Sequence, residues 1–391
     1  MKVFYIVNMN INRSKGGLFL ATYERLKGHS SNIDCIAVNN NYYDGDISRL
    51  FKRVLYKKES KITKLEEISL FKEIKINNLN YKKNFFYNLK GIFKLGNKFD
   101  NVVNYYSKKY YDILKESDII HAHWGWPNGY IAYKLSAKLS IPYFITFHGS
   151  DINYLDKRNY PSMLLAMENA YKCFFVSNKL LENAKSMGYS GKNAIVTYNG
   201  VDIDKFQLKM NNNDSVKTVG FIGALIYKKG VDLLPEIFNK IRSLTREEIK
   251  FIIVGDGNLA NDLKEQFGKY KDLDVTFIGD VEPEEIPFIM KQLDVLVVPS
   301  RNEGLGMVIL EANATGVPVV GTRVGGIPEA IGNDKNIIEF ADDLTYKMSL
   351  RVFQLLQEKS DRYGLRERIL KEFSWTKIVE EEYTYYIKSI S

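Results

Sequence analysis

The stretch between residues 294 and 320 constrains the fold more than any other part of this chain. Residues 294–299 form a short, apolar, β-branched run, which predicts a buried strand. A polar loop with two glycines follows, and residues 307–314 are good helix formers that end before a glycine and a proline. Another apolar run begins at Val317. This order of strand, loop, helix and strand is typical of a parallel sheet, and its helix N-terminus offers unpaired N–H groups and a positive dipole end to an anion.

The same alternation of strand and helix patterns occurs in two series along the 391 residues. The first series ends near residue 197, an Asn-rich run at 211–214 is typical of a linker, and the second series begins near residue 218. We therefore predict an α/β protein with two Rossmann-like, doubly wound parallel-sheet domains that bind a ligand in the cleft between them. The predicted divisions are an N-terminal domain at 1–205, a C-terminal domain at 206–372 and a last helix at 373–391 that packs back on the N-terminal domain.

Two predictions in the first domain concern local boundaries. The helix after the first strand is predicted to begin at Gly16–Gly17 and to stop at Gly28. The paired glycines either let the backbone approach a ligand closely or supply a positive φ at the helix start. Between residues 39 and 115, the strand pattern is found at 71–76.

The net charge of +8 comes from one segment. Residues 51–100 contain thirteen Lys or Arg against five Asp or Glu, so the rest of the chain is close to neutral. This concentration predicts one anionic surface as a partner, and no nucleic acid. Over residues 81–98, apolar side chains recur at helical spacing between lysines, which fits an interfacial helix on an anionic membrane or an amphipathic helix that faces a core.

The remaining composition indicates a cytoplasmic protein. We predict in addition that it can attach peripherally to the inner face of the membrane. No apolar run is long enough to span a bilayer, and residues 1–7 are typical of a strand rather than a signal peptide. Cys35 and Cys173 fall in apolar runs without metal-ligand spacing, which favours a reducing compartment. Asp44-Gly-Asp46 resembles an Asp-x-Asp metal site, but it lacks a strand context and is typical of a turn. We predict no metal and no cofactor.

Two glutamates flank the start of the predicted helix. Glu303 lies in the loop and Glu311 in the helix, with seven residues between them, which separates the carboxylates by roughly a nanometre. A nucleotide-diphospho-sugar fits this spacing, because it has hydroxyls at both ends and negative charge in the middle. The alternative is that both are ordinary solvated carboxylates at a helix start.

Two further loops lead into predicted helices. Lys228 and Lys229 precede Gly230 at the start of a predicted helix, where their positive charges are repelled by the positive end of the helix dipole. A bound anion would offset this repulsion. The alternative is that both lysines are solvated. Residues 255–260 fit the G-x-G-x-x-A pattern after a strand, and Asp280 follows the next strand. This arrangement keeps open a nicotinamide-dependent dehydrogenase, although no acid–base constellation for hydride transfer accompanies it.

Taken together, these motifs closely resemble the retaining family 4 glycosyltransferases, which have the GT-B fold. The resemblance covers nearly the whole chain and rests on Gly16–Gly17, 120–124 (IHAHW), 146–151 (TFHGSD), 199–202 (NGVD) with Phe206, 223–230, 254–257 (VGDG), 277–279 (FIG) with Val281, 303–312 (EGLGMVILEA), Gly316 with Pro318, and 325–329 (GGIPE).

The resemblance implies a role for each matched position. Lys229 would contact the diphosphate, Glu311 the ribose and Glu303 the donor sugar. His148 would lie beside that sugar, so the implied catalytic residues are His148, Glu303 and Lys229. The implied donor-binding set is Gly16, Gly17, Gly223, Lys228, Lys229, Gly255, Val281, Glu303, Gly304, Leu305, Gly306, Met307, Val308 and Glu311, and the acceptor-side set is His123, Trp124 and Asp151.

The implied activity is metal-independent transfer of a hexose or N-acetylhexosamine from a nucleotide-diphospho-sugar with retention of configuration. The acceptor would be a saccharide, a polyol-phosphate polymer or a lipid-linked glycan in cell-surface synthesis. Pro283 stands where some guanine-using relatives carry an acidic residue, which favours uridine diphosphate. One position departs from the family, because Ala224 stands where an arginine usually faces the phosphates. A nucleotide-sugar 2-epimerase of the same fold and a non-catalytic nucleotide-sugar binder therefore remain alternatives.

Overall fold

The structure is a computed structural model, and it describes residues 1–8, 17–44, 75–83, 99–209 and 216–391. These residues form two compact units. The first comprises Met1–Val176, Leu180–Thr197 and Val379–Ser391, and the second comprises Ser177–Lys179 and Tyr198–Ile378. The long segment of the second unit begins at Tyr198, whereas the sequence predicted a division after residue 205.

The first unit is built on a parallel sheet with seven strands among the described residues, in the order β3-β2-β1-β4-β5-β6-β7. β1, β4 and β5 are buried along almost their whole length, as expected for a sheet covered on both faces. The strands are β1 Lys2–Val7, β2 Asp34–Asp44, β3 Lys75–Lys83, β4 Ile119–His123, β5 Tyr143–Phe147, β6 Lys172–Phe175 and β7 Ala194–Val196. The helices are α1 Gly17–His29, α2 Asp100–Lys109, α3 Tyr111–Lys115, α4 Tyr130–Leu139, α5 Ser150–Asn153, α6 Tyr160–Asn169 and α7 Asn178–Ser186.

The second unit repeats this plan with six parallel strands among the described residues, in the order β10-β9-β8-β11-β12-β13. The strands are β8 Lys217–Ile222, β9 Ile249–Val254, β10 Asp274–Gly279, β11 Val295–Val298, β12 Val319–Thr322 and β13 Ile337–Ile338. The helices are α8 Leu234–Ser243, α9 Ala260–Phe267, α10 Ile286–Met290, α11 Met307–Ala314, α12 Ile327–Ile331, α13 Leu344–Gln357, α14 Arg362–Glu372 and α15 Trp375–Ile390. The first four residues of α15 belong to the second unit and the rest to the first.

The strand order reverses at two places, and these places position the candidate site. In the second sheet β8 pairs with β11, so the loops that follow these two strands lie side by side at the carboxyl edge. In the first sheet β1 pairs with β4 in the same way. Ligands of open α/β sheets bind at such switch points.

Two predictions of local structure were wrong, and a third is only partly covered by the described residues. α1 does not stop at Gly28 but continues to His29, and a Cβ on Gly28 would lie 2.7 Å from Val379 Cγ2. This glycine therefore permits close packing instead of ending the helix. Of the strand predicted at 71–76, residues 75 and 76 lie in β3 and the others fall outside the described residues. β3 continues to Lys83, so Lys82 and Lys83 end a strand and do not begin the predicted helix.

Several predictions fall on residues outside those described. They concern Gly16, Asp46, residues 71–74 of the predicted strand, the segment 84–98 of the proposed membrane contact, and the Asn-rich run at 211–214. Among the described residues, no helix is long and apolar enough to cross a membrane.

Candidate functional site

The loop between β11 and α11 carries Glu303 and is held in place by glycines. Gly306 precedes α11 with φ 97°, a left-handed conformation that favours glycine. A Cβ on Gly325 would lie 1.9 Å from the carbonyl oxygen of Glu303, and one on Gly326 would lie 2.3 Å from that of Gly304. The main chains of the two segments therefore touch, which explains why both glycines are needed there.

Lys229 contacts Glu303 across the two loops of the switch point. The Lys229 ammonium donates a hydrogen bond to the Glu303 carboxylate, and the two side chains are only 26% and 16% exposed. Gly230, with φ 70°, fits against Pro299, because a Cβ there would lie 1.9 Å from the Pro299 carbonyl oxygen. An ammonium has three N–H donors, so the contact with Glu303 leaves capacity for an anion.

Lys228 brings a second positive charge to the same loop. Burial lowers the pKa of Lys228; the Glu303 carboxylate opposes this shift and the Lys229 ammonium adds to it. Two adjacent ammonium groups, one of them partly desolvated, are stabilised by a bound anion. The arrangement therefore suits a phosphate better than a neutral ligand.

Arg301 fastens the Lys229 loop to the Glu303 loop. Its guanidinium makes a bidentate pair with Asp232, at 2.6 and 2.7 Å, and donates to the Tyr227 carbonyl oxygen at 2.9 Å. It also lies over the Tyr227 ring, 3.8 Å from the centroid. Since the charge of Arg301 is matched by Asp232 and its guanidinium also bonds to Tyr227, this residue orders the loops.

Glu311 lies one turn into α11 and is partly buried. Among the described residues, none donates a hydrogen bond to its carboxylate. Burial raises the pKa of Glu311 to about 7, although the nearby charge of Lys205 acts in the opposite direction. A partly desolvated carboxylate without a donor is suited to accept hydrogen bonds from ligand hydroxyls.

The glycines at 255 and 257 are explained by contacts of the chain with itself. A Cβ on Gly255 would lie 2.0 Å from the Gly223 carbonyl oxygen, and one on Gly257 would lie 2.3 Å from that of Leu225. The Leu259 N–H donates to Leu225, and the Gly257 N–H donates to the Asp256 side chain. These donors are therefore occupied, and a dinucleotide pyrophosphate would have to displace them.

The turn after β10 presents Val281. Its main-chain N–H and carbonyl groups form no hydrogen bond with the described residues, and Gly279 turns the chain there with φ 85°. Leu305 differs, because it is only 2% exposed.

In the first unit, Asp151 fixes the main chain around His148. Its carboxylate accepts N–H donors from Gly125 at 2.8 Å, Gly149 at 2.9 Å and His148 at 3.1 Å. Burial raises the pKa of Asp151, and these donors oppose the shift. Asp151 therefore acts here as a structural anchor of the loops after β4 and β5.

The His148 side chain is 4% exposed and lies between Trp124 and His123. Its ring centroid is 4.8 Å from that of Trp124, and its Nε2 is 3.0 Å from His123 Nδ1. Burial lowers the pKa of both histidines well below the ordinary value. Both rings are therefore neutral at physiological pH.

The predicted residues are thus distributed over both units. Lys228, Lys229 and 303–308 come together at the switch point of the second sheet, with Glu311 farther along α11, and His123, Trp124, His148 and Asp151 come together in the first unit. Gly17 begins α1. Among the described residues, no group of His, Cys, Asp or Glu has an arrangement that could hold a metal ion.

The sequence reasoning missed two features. One is the bidentate pair of Arg301 and Asp232. The other is a buried cluster in which Glu382 of α15 pairs with Arg25 at 3.1 Å and with His29 at 2.9 Å. The sequence held one signal for this cluster, because the chain has only four histidines and all four precede residue 149.

Comparison with known proteins gives consistent matches. The family model described as Glycosyltransferase Family 4 matches residues 78–205, and the model described as Glycosyl transferases group 1 matches residues 202–369. An uncharacterised glycosyltransferase of Methanocaldococcus jannaschii is 31% identical over 271 residues, which are 67% of this chain and 73% of the relative. A Bacillus subtilis glycosyltransferase named for teichuronic acid biosynthesis is 30% identical over 56% of this chain and 57% of its own length. Among solved structures, Anabaena HepE in complex with UDP and glucose has a TM-score of 0.69 at 18% identity and covers 98% of each chain.

Proposed function

This chain belongs to glycosyltransferase family 4 and has the GT-B fold, and from this premise we propose that it is a retaining, metal-independent hexosyltransferase. The donor is a nucleotide-diphospho-sugar, with uridine as the favoured base. The acceptor is a saccharide, a polyol-phosphate polymer or a lipid-linked glycan of the cell surface.

The observation that carries this proposal is the placement of Lys229, Glu303 and the start of α11 at one switch point. Lys229 keeps N–H donors free for a diphosphate, and the N–H groups at the start of α11 add a positive dipole end. Glu311 lies farther along the helix, and none of the described residues donates a hydrogen bond to its carboxylate. We therefore assign Glu311 as the acceptor for the ribose hydroxyls. Val281 offers an unpaired main chain to a base.

The proposed reaction keeps the configuration at the anomeric carbon. The bond from this carbon to the diphosphate oxygen breaks, and a bond to the acceptor hydroxyl oxygen forms on the same face. The hydroxyl proton passes to the departing phosphate oxygen. Lys229, Lys228 and the start of α11 stabilise the charge that develops on the diphosphate, while Glu303 and His148 hold the sugar.

The base and the acceptor class are supported by similarity. HepE was crystallised with UDP and glucose, and the Bacillus subtilis relative is named for synthesis of a cell-wall polymer. Pro283 agrees with uridine. We extend the proposal to a cytoplasmic enzyme that contacts an anionic membrane through residues 81–98.

A screen for transfer and hydrolysis across nucleotide sugars tests the proposal. With the donor that is turned over, Lys229→Ala should lower kcat/KM by about 10- to 100-fold, since hydrogen bonds to charged groups contribute about 1.5–3 kcal/mol. Lys347→Ala is the matched control, because it removes an ion pair with Asp343 on α13 of the same unit. Equal kcat/KM in both variants would refute the role of Lys229. The anomeric configuration of the product, read by NMR, tests retention.

Ala224 supports one alternative, a protein that binds the donor without turning it over. The cation of the neighbouring Arg301 is already paired with Asp232, so it is a weaker substitute for the usual arginine. Donor binding by calorimetry without transfer, hydrolysis or epimerisation would favour this alternative. Release of free nucleotide with no acceptor and no sugar transfer would instead favour the 2-epimerase.

A further inference from the structure

All four histidines of the chain lie in one buried cluster of the first unit. His29 is 1% exposed, His121 and His123 are 0% exposed, and His148 is 4% exposed. His121 bonds to the Tyr386 hydroxyl and, at 2.8 Å, to the Thr146 hydroxyl. The proposed function uses only His148, so the contact between His148 and His123 calls for a separate explanation.

The 3.0 Å contact between His123 Nδ1 and His148 Nε2 couples the tautomers of the two rings. Two neutral imidazoles can share this hydrogen bond only if one donates and the other accepts. One N–H and one lone pair are then left over, at His123 Nε2 and His148 Nδ1. Neither of these atoms has a hydrogen-bond partner among the described residues.

The surroundings of the two atoms decide which one carries the N–H. His123 is part of β4 and is fully buried, with the rings of Tyr5 and His121 at centroid distances of 6.0 and 4.7 Å. An unpaired N–H in such an interior is rarer and costlier than an unpaired acceptor. His148 follows the carboxyl end of β5, where ligands of α/β sheets bind, and it is 4% exposed against 0% for His123, so of the two buried nitrogens its Nδ1 is the one that a ligand oxygen could approach.

We infer that His123 is a positioning residue: its Nδ1–H donates to His148 Nε2 and fixes His148 in the neutral tautomer that offers Nδ1–H to an oxygen of the bound sugar. The geometry around the pair supports this assignment. Asn128 donates to the His123 carbonyl oxygen at 2.8 Å, and Asp151 and Trp124 hold His148. The identity of the ligand rests on the proposed function, whereas the tautomer does not.

The tautomer can be measured directly in the ligand-free full chain labelled with ¹⁵N-histidine. Two-bond ¹H–¹⁵N correlation NMR distinguishes protonated from unprotonated ring nitrogens, and four histidines give a spectrum that single substitutions can assign. We expect His148 and His123 both to carry the proton on Nδ1. A proton on Nε2 of His148 would overturn the inference.

Variants at position 123 test the coupling. His123→Phe removes the donor, and we expect His148 to shift toward the Nε2–H tautomer. His123→Asn keeps an amide N–H close to the place of Nδ1, and we expect it to retain the original tautomer. His121→Phe is the control, since this buried histidine of the same strand forms no hydrogen bond with His148. An unchanged His148 in His123→Phe, or the same shift in His121→Phe, would contradict the inference. If His123→Phe does not fold, the wild-type and His123→Asn spectra decide.

Activity provides a second readout, with UDP-glucose as the first donor probe and the best donor of the screen thereafter. We expect His123→Phe to lower kcat by about tenfold, as for loss of one hydrogen bond, with a smaller change in donor KM. His123→Asn should restore most of kcat. The wrong tautomer in an active enzyme would overturn this inference alone, whereas the expected tautomer without donor turnover would overturn the proposed function alone.

Discussion

Glu311→Gln should stabilise the second unit at alkaline pH and have a much smaller effect at pH 5. Burial raises the pKa of Glu311 to about 7, from an ordinary value of 4.5. Between these two values the folded chain binds a proton that the unfolded chain has released. The free energy of unfolding therefore falls as the pH rises from 4.5 to 7, and the full loss is present above pH 7. Glutamine is close in shape to the protonated carboxyl and does not ionise.

The size of the effect follows from the shift. A displacement from 4.5 to about 7 corresponds to at most about 3 kcal/mol, since one pKa unit is about 1.4 kcal/mol. Water at the partly exposed edge of the side chain reduces this value. For a unit of about 150–250 residues, where 1 kcal/mol shifts Tm by about 2–4 °C, the upper limit is a rise of about 6–12 °C.

Differential scanning calorimetry of the full chain at pH 5 and pH 8 measures this effect without substrate. Glu265→Gln is the control, because it removes an exposed glutamate from α9 of the same unit and should change stability by less than about 0.5 kcal/mol at both pH values. Equal stabilisation by Glu311→Gln at pH 5 and pH 8, or none at pH 8, would refute the argument from burial. Either result would also remove the support for Glu311 as a carboxylate that accepts hydrogen bonds from ligand hydroxyls.

Three further predictions concern the contacts that hold the two units in shape. Glu382→Gln leaves a buried guanidinium without the Glu382 charge and should cost about 3–5 kcal/mol at pH 7 in thermal unfolding. Burial alone would raise the pKa of Glu382, but the charge of Arg25 outweighs burial and the pKa is lowered to about 2. The wild type should therefore lose this stabilisation as the pH falls from 4.5 to 2. Gly325→Ala places a Cβ against the Glu303 carbonyl oxygen and should abolish donor binding in calorimetry, whereas Gly268→Ala meets nothing closer than 3.4 Å and should not. Arg301→Lys keeps the charge but loses the bidentate geometry, so kcat/KM should fall about tenfold while Tm changes little; unchanged kinetics would show that the fastening of the two loops is dispensable.

The part of the fold that local signals control could be predicted from sequence. α11 spans Met307–Ala314, the predicted bounds, because a glycine with positive φ precedes it and a glycine and proline follow. The GT-B fold and the family were confirmed, since both depend on the order of strands, helices and motifs along the whole chain. The roles of Lys229, Glu303 and Glu311 stay predictions.

Features that depend on distant residues could not be predicted. Gly28 resembles a helix stop, but its role is set by Val379, far along the chain. The extension of β3 to Lys83 was not predicted because the sequence of Lys75–Lys83 is rich in Asn and Lys instead of β-branched residues. This strand lies at the edge of the described sheet, where lysine and polar residues are tolerated. The pairing of His123 with His148 joins two strand ends that only the sheet brings together.

The division of α15 between the two units has a consequence for biosynthesis. Glu382 and Tyr386, which complete the polar interior around Arg25 and His121, are translated more than 260 residues after His121 and more than 350 after His29. At roughly 5–20 residues per second, the ribosome releases the last partner tens of seconds after the first strands emerge. The ion pair between Arg25 and Glu382 in the first unit therefore forms only after the second unit has been translated. In a nascent chain, the core of the first unit is therefore expected to be completed after the second unit has left the ribosome.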